Sequence, residues 1–154
     1  MIRVTLGAAY HFAGRNDQAI EQYEKAFELD PFFVPAHFDL GLAYVEKGMY
    51  NAAIAQFQEG TRILERVPLF LALQGGAYAA AARYGEARSI LMQLQQVAKQ
   101  KYVAPYFVAR LYAALAEKQE ALDWLEVGYR QRDAFMVLLK IDRRFDTLRS
   151  EPRF

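Results

Sequence analysis

The residues of this 154-residue chain that could perform chemistry are few and lie far apart. The chain has no Cys, and its two histidines, His11 and His37, have no paired carboxylates at the spacing of a metal site. Both are interpreted as surface or groove-lining imidazoles. Ser89 and Ser150 have no acid–base partner at a recognisable spacing, so neither is predicted to be a nucleophile. The sequence therefore predicts no enzyme, no metal site and no cofactor.

Two other features could have a functional role, the double glycine Gly75-Gly76 and the single tryptophan, Trp124. No G-x-x-x-x-G-K-[ST] pattern surrounds the glycines, so they indicate close helix packing and not a phosphate-binding loop. Trp124 is predicted to pack within a helix pair and not to form a binding hot spot. From Arg130 to Phe154, seven basic residues face four acidic ones. We expect ion pairs within this segment, with nucleic-acid binding as a minor alternative.

Composition and charge limit the class of protein. Hydrophobic residues make up 54% of the chain, which is typical of a folded domain. A formal net charge of +1 gives no general attraction to nucleic acid or to anionic membranes. No apolar run approaches the roughly 18 residues that a membrane span needs, and the start of the chain lacks the pattern of a signal peptide. We therefore expect a cytoplasmic protein that does not bind membranes.

A 34-residue period runs through the chain. It is visible in four columns of similar residues: Gly7, Gly41, Gly75 and Ala109; Tyr10, Tyr44, Tyr78 and Tyr112; Ala19, Ala53, Ala87 and Ala121; and Tyr23, Phe57, Leu91 and Leu125. The small residues of the first column indicate places where two helices approach closely. The Tyr three residues later shares that helix face and is predicted to fill the space beside the contact. The period therefore predicts repeated pairs of packed helices.

The connections between the helices carry turn residues. Gly occurs in the connections "AGRND", "EKGMY" and "AARYG", where it favours the end of one helix and the start of the next. Asn16 and Asn51 lie near predicted helix starts and are candidates for helix N-caps.

The spacing L-G-x-x-Y…A-x-x-x-F…P resembles the tetratricopeptide repeat, a 34-residue helix-turn-helix unit. The matching segments are "LGAAYHFAGRNDQAIEQYEKAFELDP" (6–31) and "LGLAYVEKGMYNAAIAQFQEG" (40–60). The resemblance implies an all-α, right-handed α-solenoid of antiparallel helix pairs. It implies four repeats, at 1–33, 34–67, 68–101 and 102–135, with helices at about 1–15, 17–30, 34–47, 51–65, 69–82, 85–99, 103–116 and 119–131.

The pattern stops near residue 135, and we expect residues 136–154 to form a C-terminal cap. The apolar residues around Phe135 predict a short turn or helix, followed by a link near Asp142 and a helical turn over "RFDTLR". The segment resembles those that close repeat arrays in larger bacterial regulatory proteins. The chain is therefore expected to be a fragment or an isolated domain of such a protein.

In this family the first helix of each pair lines a concave groove that binds peptides or helices. The resemblance places thirteen residues there: Val4, Ala8, His11, Phe12, Phe38, Leu42, Val45, Ala72, Gly76, Ala79, Tyr106, Arg110 and Ala113. Chaperone-binding members hold a terminal carboxylate with Lys and Asn, and residues such as Val4, Leu42 and Gly76 cannot make that clamp. An apolar helix is the favoured ligand. Alternatively, Ala79, Ala80, Ala113 and Ala114 only allow the first helices to pack closely.

The sequence favours a non-catalytic module that binds another protein or peptide, as part of a larger regulator. One alternative is a regulatory or substrate-recruiting segment of an enzyme whose catalytic domain lies outside this chain, and a weaker one is an RNA-binding helical repeat. Homo-oligomers are compatible with the same surface. The sequence does not distinguish an open groove from one that the protein itself fills.

Overall fold

The computed structural model describes residues 2–64 and 67–154, and every regular element in these ranges is a helix. Eight α-helices occur in them: α1 (Ile2–Phe12), α2 (Asn16–Phe27), α3 (Val34–Glu46), α4 (Tyr50–Ile63), α5 (Pro68–Ala80), α6 (Tyr84–Val97), α7 (Pro105–Ala114) and α8 (Lys118–Arg130). Two 3-10 helices follow, η1 (Ala134–Leu138) and η2 (Arg143–Leu148). These bounds lie within a few residues of the predicted ones. The predicted helix ends at Met1 and Glu65 lie outside the described residues.

The α-helices pack as four successive pairs, α1 with α2, α3 with α4, α5 with α6, and α7 with α8. Helix α2 packs on α3 and α4 packs on α5, so each pair buries its apolar face against the next. The last joint differs, because α7 packs mainly on α5 and only slightly on α6. The predicted all-α solenoid is confirmed.

The small-residue column lies where the two helices of a pair touch. A Cβ added to Gly41 would lie 2.3 Å from Cε1 of Phe57, and one added to Gly7 would lie 2.5 Å from Cε1 of Tyr23. Such distances are too short for a real contact, so the aromatic ring of the second helix occupies the space that glycine leaves. The prediction of close helix packing is confirmed at these positions.

The repeated tyrosines pack between successive pairs, and three of them bind the preceding second helix. Tyr44 donates from its hydroxyl to Glu24 Oε1 at 3.1 Å. Gln58 and Gln95 donate to the hydroxyls of Tyr78 and Tyr112 at 3.3 and 2.9 Å. These three tyrosines are buried, and their polar ends are satisfied, as buried hydroxyls require. The column is therefore structural.

The turn after each first helix is also periodic. Gly14 and Gly48 have φ of 72° and 71°, and the equivalent residues of the next two pairs, Ala82 and Ala116, have φ of 58° and 61°. This left-handed residue ends the helix in all four pairs. The prediction that the glycine of "AARYG" makes the third turn is wrong, because that glycine, Gly85, lies inside α6.

Asn16 and Asn51 are not helix N-caps. The N-cap residues of α2 and α4 are Arg15 and Met49, and neither side chain makes a capping hydrogen bond. Asn16 instead donates to Glu46 Oε2 at 3.1 Å, and Asn51 accepts from Arg83 at 3.3 Å. The two amides therefore join one helix pair to the next.

Residues 134–154, the C-terminal segment, fold back over α7 and α8. Phe145 and Leu148 of η2 are fully buried, and the carboxylate of Asp142 accepts a hydrogen bond from the Arg144 backbone N–H at 3.0 Å to begin η2. The predicted link near Asp142 and the helical turn over "RFDTLR" are confirmed.

Candidate functional site

A cavity of about 140 Å³, here called the groove cavity, opens between α3 on one side and α5 and α7 on the other. Its lining is mostly apolar and includes small residues such as Gly76, Ala80 and Ala114. Two guanidinium groups, those of Arg110 and Arg144, lie at its edge. The cavity is therefore an apolar hollow with a basic rim.

The structure brings together five of the thirteen predicted groove residues. All five line the groove cavity: Leu42, Val45, Ala72, Gly76 and Arg110. They come from α3, α5 and α7, the first helices of three successive pairs. A Cβ added to Gly76 would meet no described atom within 4 Å, so this glycine faces open space. Gly75, by contrast, packs tightly against Leu111 and Ile90, where its Cβ would lie 2.8 and 2.9 Å away.

Near the C-terminal ends of α5 and α7, the residue that lines the cavity lies one position after the predicted one. Ala79 is only 7% exposed, whereas the next residue, Ala80, is exposed and lines the cavity. In the same way Ala113 is half-buried, whereas Ala114 is exposed and lines it. Since α5 and α7 pack together, Ala79 and Ala113 lie on the packed side of these helices. A ligand at Ala80 and Ala114 stays a prediction.

Tyr106 is not available to a partner. Its side chain is 1% exposed, and its hydroxyl donates to Asp142 Oδ2 at 2.7 Å. Its ring lies 5.5 Å from that of Phe145, between the ring centroids. Burial raises the pKa of Tyr106, and the bond to Asp142 raises it further. This predicted groove residue is instead covered by the C-terminal segment.

The predicted residues of the first pair lie outside the groove cavity. Val4 is buried in the core, Ala8 is half-buried and Phe12 is 90% exposed. His11 places Nε2 at 3.4 Å from Glu46 Oε1. This part of the predicted surface therefore does not share the cavity.

His37 and Phe38 pack against neighbouring side chains of the protein. His37 has Nδ1 at 2.8 Å from Gln56 Oε1 and Nε2 at 3.1 Å from the Pro31 carbonyl oxygen, and its ring lies 4.5 Å from Phe27. It is 6% exposed, so the surface reading of His37 is wrong. Phe38 is half-buried against the ring of Phe70, at 6.3 Å between centroids.

Arg110 is the most unusual side chain of the site. Its side chain is 16% exposed, and its Nε lies 3.4 Å from Asp142 Oδ2 without forming a hydrogen bond to any described residue. The guanidinium carbon lies 5.6 Å from the ring centroid of Phe107. Burial, and secondarily the charge of Arg144, lowers the pKa of Arg110 to about 10. The group is a cation in a poorly hydrated place with an incomplete set of partners.

Asp142 is shared by three groups from two parts of the chain. It accepts from the Tyr106 hydroxyl and from the Arg144 backbone N–H, and it pairs with the Arg144 guanidinium at 3.2 Å. Burial acts to raise the pKa of Asp142, but these hydrogen bonds and the charges of Arg110 and Arg144 together hold it below the usual value. The expected ion pairing within the C-terminal segment is confirmed by this contact.

Arg144 is a cavity residue that sequence reasoning missed. It belongs to the non-repeating C-terminal segment, so no column of the period marks it. The doublet Arg143-Arg144 was the only available signal, and it indicated nothing beyond a mild positive charge.

Other kinds of site find little support in the described part of the chain. No group of three or more His, Asp or Glu residues within residues 2–64 and 67–154 could hold a metal ion. Over the same ranges, no helix is both long and apolar enough to cross a membrane. Trp124 packs against the core of the last pair, as predicted.

Comparison with protein families agrees with the helix pairs and their 34-residue spacing. A family model described as TPR repeat matches residues 7–48, and one described as tetratricopeptide repeat matches residues 34–63. Residues 7–63 carry tetratricopeptide (TPR) repeats. Repeats of this kind generally bind other proteins or peptides, which indicates a protein-interaction module.

Two plant proteins share part of this TPR sequence. Both are named probable UDP-N-acetylglucosamine–peptide N-acetylglucosaminyltransferase SPINDLY, one from Oryza sativa subsp. japonica and one from Hordeum vulgare. Each is 30% identical over 66 residues, which is 43% of this chain. The match spans only 7% of the length of either plant protein.

A solved structure shares the fold of almost the whole chain. It is YrrB, described as a TPR protein with an unusual peptide-binding site. It aligns with a TM-score of 0.59 at 17% identity, over 98% of this chain and 78% of YrrB. At this identity the likeness supports the fold alone.

Proposed function

We propose that this chain binds an apolar helix of another protein along the groove formed by α3, α5 and α7. The observation that carries the proposal is the groove cavity itself, an open hollow lined by apolar side chains from three successive first helices. Apolar surface that stays exposed to water is unfavourable, and a contiguous patch of it commonly marks a binding site.

The size of the lining residues favours a helix as the ligand. Gly76, Ala80 and Ala114 leave room along the floor, while Leu42 and Val45 form one side. Leu or Ile side chains spaced three or four residues apart on one helix face suit such a groove. The cavity of about 140 Å³ would receive one of these anchors.

A helical peptide segment as the ligand is in keeping with YrrB, a protein of the same fold that is described as having a peptide-binding site. We do not expect this chain to bind a terminal carboxylate with the clamp of chaperone-binding repeats. Leu42, Ala72 and Gly76 line the cavity, and none of them carries a donor in its side chain.

Two matched glycines test the proposal. Gly76 and Gly85 are both helical, and an added Cβ meets no described atom within 4 Å at either position. Gly76 lines the groove cavity, whereas Gly85 lies on α6 outside it. Gly76→Gln should therefore place a polar side chain in the groove without disturbing the fold, and Gly85→Gln should add the same side chain elsewhere.

Protein partners are first captured on the unmodified chain, identified by mass spectrometry and purified. The measurement is then the dissociation constant of each purified partner for the unmodified chain and for the two variants. We expect Gly76→Gln to weaken their affinity by about tenfold or more, since a buried polar group without a partner costs 1–3 kcal/mol. Gly85→Gln should bind as the unmodified chain does, with both variants keeping its circular dichroism spectrum. Equal affinity of the two variants would show that the groove is not the site.

A second candidate function is recruitment of a protein substrate to an enzyme. The observation in its favour is the match of 66 residues to the two plant proteins named as probable N-acetylglucosaminyltransferases. In that case the groove would hold the substrate and the catalytic domain would lie elsewhere in the same polypeptide. The full reading frame distinguishes the two candidates, because a catalytic domain in it favours recruitment.

A further inference from the structure

Arg110 and Arg144 stand where two cavities meet. Both side chains line the groove cavity, and both also line a second pocket of about 520 Å³, here called the junction pocket. The junction pocket lies where α7 meets the C-terminal segment and also contains Leu138, Ile141 and Arg143. A ligand that passes from one cavity to the other must therefore pass the two guanidinium groups.

The positive charge at this junction exceeds the negative charge that faces it. Three arginines line the junction pocket, and Asp142 is the single carboxylate among its lining residues. Asp142 already accepts from the Tyr106 hydroxyl and from two groups of Arg144. Asp146 lies outside the pocket lining, and its carboxylate is shared between Arg143, at 3.8 Å from Nε to Oδ2, and Arg149, at 2.8 Å from Nε to Oδ1. It therefore offsets Arg143 in part and leaves Arg110 and Arg144 to share Asp142.

Arg110 has the least complete set of partners. Its Nε forms no hydrogen bond to any residue in the described ranges, and its contact with Asp142 is 3.4 Å long. A buried donor without an acceptor is unfavourable, and a carboxylate is the acceptor that matches a guanidinium best, because both are planar and can bond in pairs.

We propose that the bound helix carries an acidic side chain, Glu or Asp, that pairs with Arg110 and Arg144 at this junction. The proposal rests on the proposed groove function and specifies its ligand as an apolar helix with one carboxylate on the face that meets the groove. The carboxylate supplies the missing acceptor for Arg110 and offsets the excess positive charge.

The carboxylate belongs to a side chain and not to the end of the bound chain. Apolar side chains lie on both sides of the arginine pair, Ala80 and Ala114 in the groove cavity and Leu138 and Ile141 in the junction pocket. Ile141 is 73% exposed, so apolar surface continues past the arginines. A ligand that ended at Arg110 would leave this second stretch uncovered.

Three synthetic helices test the proposal. The first is an acetylated, amidated peptide with a Leu/Ala face and a single Glu in the middle of that face. The second has Gln in place of the Glu, and the third has the same Gln and a free C-terminal carboxylate. Dissociation constants are measured by titration, and two-dimensional nitrogen–proton spectra follow the Arg110 Nε–H signal and the Gly76 amide.

The Glu peptide should bind about tenfold more tightly than the Gln peptide, since hydrogen bonds to charged groups contribute more than neutral ones. It should also shift the Arg110 Nε–H signal, which the Gln peptide should leave nearly unchanged. Arg110→Gln should abolish the difference between the two peptides, and Arg144→Gln, at an exposed position, should reduce it. Arg153→Gln should keep the full difference, because Arg153 pairs with Asp123 and Glu126 of α8 and lines neither cavity.

Each other outcome contradicts the proposal that Arg110 and Arg144 bind an acidic side chain, here called the carboxylate subsite. If the Glu and Gln peptides bind equally and both shift the Gly76 amide signal, the groove binds a helix as proposed, and the carboxylate subsite is wrong. If the free C-terminal carboxylate gives the tightest binding, the ligand is a chain end. If none of the peptides binds, the proposed groove function is also wrong.

Discussion

One residue in the turn after each first helix adopts a left-handed backbone conformation. Its side chain determines the free-energy cost of that conformation. The backbone N–H of the next residue bonds back to the helix, as in Arg83 N–H to Tyr78 O at 2.9 Å. Glycine has this conformation freely at Gly14 and Gly48. Alanine does not, because its Cβ approaches the following carbonyl oxygen. The third and fourth turns are therefore strained relative to the first two.

Ala82→Gly should consequently stabilise the protein by about 0.5–1 kcal/mol. The relief of strain at φ of 58° exceeds the extra freedom that glycine gains in the unfolded chain. The matched control is Ala81→Gly, where φ is −80° and alanine is unstrained, so glycine should destabilise by a similar amount. Urea unfolding followed by circular dichroism measures both. A loss of stability in Ala82→Gly would contradict the interpretation of this turn.

At the scale of the elements, two aromatic residues of the C-terminal segment, Phe135 and Phe145, pack against the aromatic rings of α7. Phe145 is fully buried, with its ring centroid 5.5 Å from that of Tyr106 and 6.4 Å from that of Phe154. Asp133 adds a polar link, because its carboxylate accepts from the Tyr106 backbone N–H in the first turn of α7 at 3.0 Å. It also accepts from the Phe135 N–H at the start of η1. The segment therefore covers α7 with both apolar and hydrogen-bonded contacts.

Phe145→Ala should destabilise the protein by about 3–5 kcal/mol, because it leaves a cavity beneath η2. Val137→Ala in η1 is the control, since Val137 is 80% exposed and its truncation should change stability by less than about 0.5 kcal/mol. Thermal and urea unfolding give the two values. Similar stabilities for the two variants would mean that the segment does not depend on Phe145.

The elements also show which features a sequence can predict. Gly41 and Phe57 were predictable because every pair makes the same joint, so the period repeats the requirement. Ala82 lies one period after Gly48, but its residue type hides the left-handed backbone, because alanine gives no sign of it. Gly85 nearby carries a turn signal that the structure does not use.

The sequence predicted which helices line the groove, but not which residues of the C-terminal segment border it. Arg110 follows from the repeat, since it lies one period after Gly76. Its surroundings do not, because Asp142 and Arg144 reach it only after the non-repeating C-terminal segment folds back. Tyr106 was assigned to the groove for the same reason, since periodicity gives its place on α7 and not what covers it.

At the scale of the whole molecule, the chain is a row of helix pairs in which stability is transmitted between neighbours. Helix α4 packs on α5, where a Cβ added to Gly60 would lie 2.3 Å from Cε1 of Phe70. Such joints connect each pair to the next, and contacts between distant pairs are sparse among the described residues. A local defect should therefore loosen nearby helices more than distant ones.

Gly41→Leu tests this one-dimensional organisation. The new side chain would overlap the Phe57 ring, whose Cε1 lies 2.3 Å from the position of a Cβ, and overpacking of this kind costs about 1–3 kcal/mol or more. Native-state hydrogen exchange should show the largest loss of protection in α3 and α4 and the smallest in α7 and α8, which the C-terminal segment covers. Gly85→Leu makes the same change at an open helical position and should not reduce stability, because leucine favours helix more than glycine does. An equal loss of protection in all four pairs would instead show that the array unfolds as a single cooperative unit, with the groove and the C-terminal segment coupled to its first repeats.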